Sequence, residues 1–325
     1  MFIISGKGDY SILTKYPKNA FQEYELYLKT SDDCDVNKFN NLPNHIKICS
    51  VHQPTKIKLN GELQNFNITS TGEVGEESIK SLNKTIDFAK QCNIKKIVLH
   101  ESMFNSVTSN KQESIKLFKQ RVSKYLSSDF MICIETNVMW FDYCRQHKTL
   151  LTKIEDFKEI KKLLGKDFHI TLDIEHLSYT YLFEEFLKEN IDYNFDNINA
   201  EEFAEDFKLF AKQNSSKLDV AFKHALELFI TTFKNDIEHI HINGTDYFNY
   251  YYPNNFSFFI GEHLPIKYVS EETEDRFDYN FIFNALKMLP VNKNINIVLE
   301  IGIKDSQYNF IDSMIKSKEI LEKQI

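Results

Sequence analysis

IEDFKEIKKLLGKDFHITLDIEH, residues 154–176, carries one complete unit of the pattern that decides the fold. Apolar residues at 154, 157, 160, 163 and 164 mark one helix face, and Gly165 supplies a stop. The run FHITLD (168–173) then reads as a buried β-strand closing on a carboxylate, Asp173, with His176 three residues further on. The same alternation extends in both directions. Apolar runs recur at EYELYL (23–28), IKICSVH (46–52), KKIVLH (95–100), FMICIE (130–135), IEHIHI (237–242) and INIVLE (295–300). Their Ile, Val, Leu, Cys and Phe content suits parallel strands covered on both faces. Amphipathic helical text separates them, as in SIKSLNKTIDFAKQ (78–91) and ESIKLFKQRVSKYL (113–126).

Strand–helix alternation at this spacing argues for a parallel α/β fold. Seven runs need one more strand to make eight, and SFFIG (257–261) is the candidate. The expectation is a (β/α)8 TIM barrel spanning 1–325 as one domain, with an insertion at about 183–235 after the fifth strand. A doubly wound open sheet is the rival, but none of the 9 glycines forms the G-x-G-x-x-G loop that it would want.

Composition narrows the function. The 325 residues include 47 acidic and 39 basic side chains, a net charge of −8, and only Arg121, Arg145 and Arg276 among the basic residues are arginines. That balance weakens a nucleic-acid-coating role without excluding an enzyme that visits DNA through a local patch. The five cysteines form no C-x-x-C pair, which suits free thiols in a reducing cytosol. MFIISGKGDY (1–10) is too short in apolar residues for a signal peptide, and no run is long enough to span a bilayer. A soluble cytoplasmic protein with no membrane partner is expected.

The chemistry lies in what ends each strand. His52, His100, Glu135, Asp173, His241 and Glu300 each close or nearly close an apolar run, and His263 lies just beyond the candidate seventh strand. In a barrel those ends converge on one mouth, where active sites of this fold are built. Two residues earlier stand Ser50, Val98, Cys133, Thr171, His239 and Val298, mostly small or apolar, as a filled interior requires. A single polar residue ending a strand is ordinary turn chemistry; six His, Asp or Glu in a row are not. Crowded in a low-dielectric mouth, these groups repel and desolvate one another unless a divalent cation intervenes. Mn2+, Mg2+, Co2+ or Zn2+ suits this mix of carboxylate oxygen and imidazole nitrogen.

SVHQP (50–54), IVLHES (97–102), CIETN (133–137), LDIEH (172–176), HIHIN (239–243), GEHLPI (261–266) and IVLEIG (297–302) occur in an order that resembles the xylose isomerase-like TIM-barrel superfamily. That group holds sugar isomerases and epimerases together with endonuclease IV. The resemblance runs from about residue 20 to 320. It implies a metal site of Glu135, Asp173, His241 and Glu300, with one ion. It also implies that Glu135 and Glu300 pass a proton on and off a sugar-like hydroxy-ketone, while His176 orients a substrate hydroxyl or binds a second ion.

The alternative within the same superfamily is a multi-zinc phosphodiesterase acting on abasic DNA. It resembles this chain in His52, His100 and Glu135 as one zinc site, in the four-ligand set as a second, and in His176 and His263 as part of a third. The chain departs from that pattern at Gly261, where the family has Asp, and at Gly244, where an acidic residue is usual. The family's Gly-Glu-Gly run after His263 is replaced by LPIKYVSEE, and the loop after His52 reads QPTKIKLNG, without the aromatic and Arg residues of a DNA-penetrating loop. A third alternative is a metal-binding barrel with a biosynthetic or non-catalytic role.

The segment TDYFNYYYPNNFSFF (245–259) holds eight aromatic residues, among them Tyr247 and Phe248. It reads equally as a lid that stacks on a sugar face and as an oligomer contact. Trp140 after Glu135 is placed to wall the mouth or to fill the core. His239 reads as a satisfied core histidine, and His45, His147, His169 and His224 as structural or exposed.

Overall fold

The computed structural model describes residues 1–100, 103–105, 110–126, 130–139, 147–194, 198–247, 261–271, 273–302 and 309–325. Eight parallel strands close a barrel: β1 (Phe2–Gly8), β2 (Tyr24–Tyr27), β3 (Ile48–His52), β4 (Lys96–Leu99), β5 (Met131–Glu135), β6 (His169–Asp173), β7 (Ile237–Ile242) and β8 (Ile295–Leu299). Neighbours in the barrel are neighbours in sequence, and β1 closes the ring by pairing in parallel with both β8 and β2.

The eighth strand is therefore the N-terminal one, which differs from the expected strand at 257–261. Residues 257–260 lie outside the described residues, and the barrel is complete without them. The difference has a chemical reason. FIISGKG runs out of apolar side chains after Ile4 because its later inward position is Lys7, whose ammonium meets carboxylates inside the barrel. Each later strand moves up one place, so the insertion follows the sixth strand.

Helices pack their apolar faces on the outside of the strands. Ile154–Leu164 buries Ile154, Phe157, Ile160 and Leu164 and ends at Gly165, whose φ of 65° is a conformation that glycine adopts without a Cβ clash. The long β6–β7 connection contains three helices, Ile174–Glu189, Ala200–Gln213 and Ser215–Phe233. Rings of Phe183, Phe186, Phe203, Phe207 and Phe210 meet between the first two of these helices, with centroid separations of 5.1 to 6.4 Å. Burying each such ring contributes roughly 1.5–3 kcal/mol. The insertion is thus held by its own aromatic cluster. Among the described residues, no helix is long and apolar enough to cross a membrane.

Candidate metal centre

The C-terminal ends of β3 to β8 deliver the expected side chains to one place. His52, Glu135, Asp173 and His241 are buried, and the Glu300 side chain keeps 19% of its surface exposed, so the mouth opens beside it. Ligand atoms of Glu135, Asp173, His241 and Glu300 all lie within 4.8 Å of one another. His241 Nδ1 is 2.8 Å from Glu135 Oε1, 2.6 Å from Glu300 Oε2 and 3.7 Å from Asp173 Oδ2. A second such group joins His100, Glu135 and His176, and a third joins His52, His241 and Glu300.

Local structure explains the D-x-x-H spacing. Asp173 ends β6 and caps the helix Ile174–Glu189: its Oδ1 accepts the His176 backbone N–H at 2.7 Å. The turn that satisfies this cap leaves Oδ2 facing the mouth and sets His176 on the first helical turn. His176 Nδ1 lies 2.8 Å from the Thr136 carbonyl, and His52 Nδ1 lies 2.8 Å from the Gln53 carbonyl. A carbonyl can only accept, so both rings carry a proton on Nδ1 and turn Nε2 away from the carbonyl. His52 Nε2 then stands 3.3 Å from Glu135 Oε2, one acceptor facing another.

A cation between the two would remove that confrontation. Glu135 Oε2, Asp173 Oδ2 and Glu300 Oε2 are buried and accept no well-formed hydrogen bond. Buried acceptors without donors cost free energy that a bound cation would recover. These oxygens and imidazole nitrogens are the donor set that divalent metals take, so the residues present fit an ion.

The electrostatics agree. Burial, joined by the charges of Glu135 and Glu300 and opposed by His176, pushes Asp173 up to about 6. Burial would lower His241, but the Glu300 and Glu25 carboxylates outweigh it and hold the ring well above its usual value. Burial would also raise Glu135 and Glu300; His241 with His100 outweighs it at Glu135, and Lys7 with His241 at Glu300, so both stay well below the usual carboxylate range. In the metal-free protein the His241 imidazolium is therefore the cation that holds the carboxylates together. Burial and the nearby Lys7 charge lower His52, which keeps its ring neutral.

His263 is set apart from these groups. It takes a positive φ of 52°, donates its backbone N–H to Glu175 Oε1 at 3.0 Å and packs its ring 6.3 Å from that of His176. Its Nδ1 sits 2.8 Å from Asn243 Nδ2. Among the described residues it joins no group with metal-ligand spacing. Trp140 and Phe248 lie outside the described residues, as does the rest of the aromatic segment after Tyr247. Tyr247 is partly buried and packs against the hydrophobic core. His239 is fully buried, with Nε2 2.8 Å from Glu25 Oε2.

Sequence reasoning missed Glu25, Lys7 and Glu175. Glu25 is fully buried under His241, in contact with Lys7 Nζ at 3.2 Å and His241 Nε2 at 3.1 Å. Lys7 Nζ also donates to Glu300 Oε1 at 2.5 Å. The signal was present: Glu25 is the charged residue on the inward side of an otherwise apolar run, YELY. Glu175 gave no such signal, because the first turn of a helix is an ordinary place for an acidic residue.

No family model and no curated protein matches the sequence. Solved structures do match over nearly the whole chain. A D-tagatose 3-epimerase-like protein is 16% identical with a TM-score of 0.59, covering 99% of this chain and 96% of its own. A xylose isomerase domain protein from Alicyclobacillus acidocaldarius is 10% identical with a TM-score of 0.56, covering 100% and 98%. The IOLI protein, solved with a bound zinc atom, is 12% identical with a TM-score of 0.53, covering 99% of both chains. At these identities the likeness establishes the fold alone, a (β/α)8 barrel.

Proposed function

We propose that the chain is a divalent-metal-dependent isomerase or epimerase of a sugar or a sugar-like hydroxy-ketone. The observation that carries this reading is the convergence of Glu135, Asp173, His241 and Glu300 on one point, with buried carboxylate oxygens lacking hydrogen-bond donors. Two features narrow the chemistry to proton transfer on a small molecule. Glu135 ends β5 and Glu300 follows β8, with two strands between them, and the proposed mechanism sets them on different sides of the reacting carbon. The sugar epimerases among the structural neighbours support the substrate class.

A bound divalent ion would supply Lewis acidity, polarising a ketone oxygen and acidifying the adjacent C–H. Glu135, Asp173, His241 and Glu300 would hold it. One glutamate takes the proton from one face of the substrate carbon and later releases it to solvent, while the other delivers to the opposite face a proton that it draws from solvent water. His176, with Nδ1 tied to the Thr136 carbonyl, points its Nε2 at a substrate hydroxyl. Lys7 keeps Glu300 in place by holding Oε1. Tyr247, Trp140 and Phe248 remain proposed walls of the substrate site.

A second reading, a multi-zinc phosphodiesterase of the endonuclease IV type, is favoured by one specific observation: His100, Glu135 and His176 form an additional three-ligand group, with His52 alongside. Metal content separates the two. The leading reading expects one ion per chain and epimerisation within a panel of ketoses; two or three zinc ions with nicking of an abasic-site duplex would replace it by the second.

Metal uptake should also release protons. The ion needs Asp173 ionised and His241 free of its Nδ1 proton, whereas the metal-free protein holds His241 protonated and Asp173 near 6. About one proton per ion is expected at neutral pH, rising towards two below about pH 6, with apparent affinity increasing as pH rises. Calorimetry in buffers of different ionisation heat measures this directly. Uptake without proton release would show that His241 is not a ligand.

A further inference from the structure

Beneath the four converging residues lies a buried charged layer that the acid–base pair does not use. Glu25 is at its centre, and contacts reach it from four sides. Ser50 Oγ donates to Oε2 at 2.8 Å, and His239 Nε2 lies 2.8 Å from the same oxygen. Lys7 Nζ is 3.2 Å and His241 Nε2 3.1 Å from Oε1, both within ion-pair distance, although neither Oε1 nor Nε2 completes a well-aligned hydrogen bond. Lys96 fixes the orientation of His239 from below, with its Nζ 3.5 Å from Nδ1. An ammonium only donates, so Nδ1 accepts there and His239 turns its Nε2–H to Glu25.

His241 therefore stands between two sets of carboxylates. Its Nδ1 faces Glu135 and Glu300, and its Nε2 faces Glu25. A ring nitrogen can ligate a cation only if the ring's remaining proton sits on the other nitrogen, where it needs an acceptor. Resting on the reading that the mouth binds a divalent ion, we propose that Glu25 is a positioning residue: it keeps the His241 proton on Nε2 and fixes the ring, so that Nδ1 is the atom offered to the ion. Lys7 completes the layer by bridging Glu25 and Glu300, which lets a buried carboxylate sit next to the site without adding net negative charge to it.

The test loads the metal-free, full-length protein with Co2+ and follows its visible absorption and its affinity by competition with a chelator. In Glu25→Gln, the affinity should fall about 10–100-fold and the absorption band should change, because an outer carboxylate on a ligating histidine is worth that much. Ser50→Ala removes a hydrogen bond to the far oxygen of Glu25 and should leave affinity and absorption as in the wild type. Unfolding midpoints of the metal-free variants report whether the barrel is intact. If Glu25→Gln does not fold, 15N-histidine spectra of the zinc-loaded wild-type protein decide, with His241 expected to be protonated on Nε2 and ligating through Nδ1. Unchanged cobalt affinity and absorption in Glu25→Gln, an equal loss in Ser50→Ala, or ligation through Nε2 would each overturn the inference. A wild-type protein that takes up neither cobalt nor zinc would instead remove the functional reading beneath it.

Discussion

Glu300→Gln should lower turnover by about two to four orders of magnitude and leave the barrel folded. The amide keeps the shape of the side chain but can neither accept a proton from carbon nor ligate a cation as an anion. In the wild-type protein Oε1 receives Lys7, while Oε2 stands 2.6 Å from His241 Nδ1 without a well-formed hydrogen bond. Because Lys7 retains Glu25 as a partner in the variant, no lone buried ammonium is created. Steady-state turnover on a ketose substrate, with the ion at saturation, reads the loss, and an unfolding midpoint in urea reads the fold. Full retained turnover would discard the whole assignment of the mouth.

His241→Leu should act on stability before it acts on chemistry. The imidazolium separates Glu25 on one side from Glu135 and Glu300 on the other, and all of these contacts are at 3.1 Å or less. Leucine fills much of the space but removes the charge, and buried carboxylates are left facing one another. Breaking such a buried arrangement costs about 3–5 kcal/mol. In the chelated protein the variant should unfold at a clearly lower urea concentration, and equilibrium dialysis should find no tightly held ion. A chelated variant as stable as the wild type would mean that His241 does not carry the charge assigned to it.

Most of the mouth is legible in the sequence because a polar residue at the end of an apolar strand has few other reasons to recur. His52, Glu135, Asp173 and His241 end runs of Ile, Val, Leu and Cys, and the barrel brings them together as expected. The layer beneath was harder to see. Lys7 and Glu25 sit inside strands, and neither looks functional alone; each becomes intelligible when β1 and β2 set them 3.2 Å apart. The same charge hid the first strand, because FIISGKG looks too polar to be buried until its lysine is seen to have carboxylate partners. His263 shows the opposite limit. Its backbone N–H and its ring Nδ1 meet Glu175 and Asn243, contacts that no spacing rule encodes.

The proposed reaction moves a proton on and off a carbon next to a ketone, with a divalent ion in place. The most direct measurement incubates the ion-loaded protein with a panel of ketoses in D2O and follows carbon-bound deuterium by NMR. Deuterium is expected at the position adjacent to the carbonyl in at least one ketose, lost on adding chelator and restored by the ion. Ion-loaded protein that incorporates no deuterium into any ketose of the panel would contradict it.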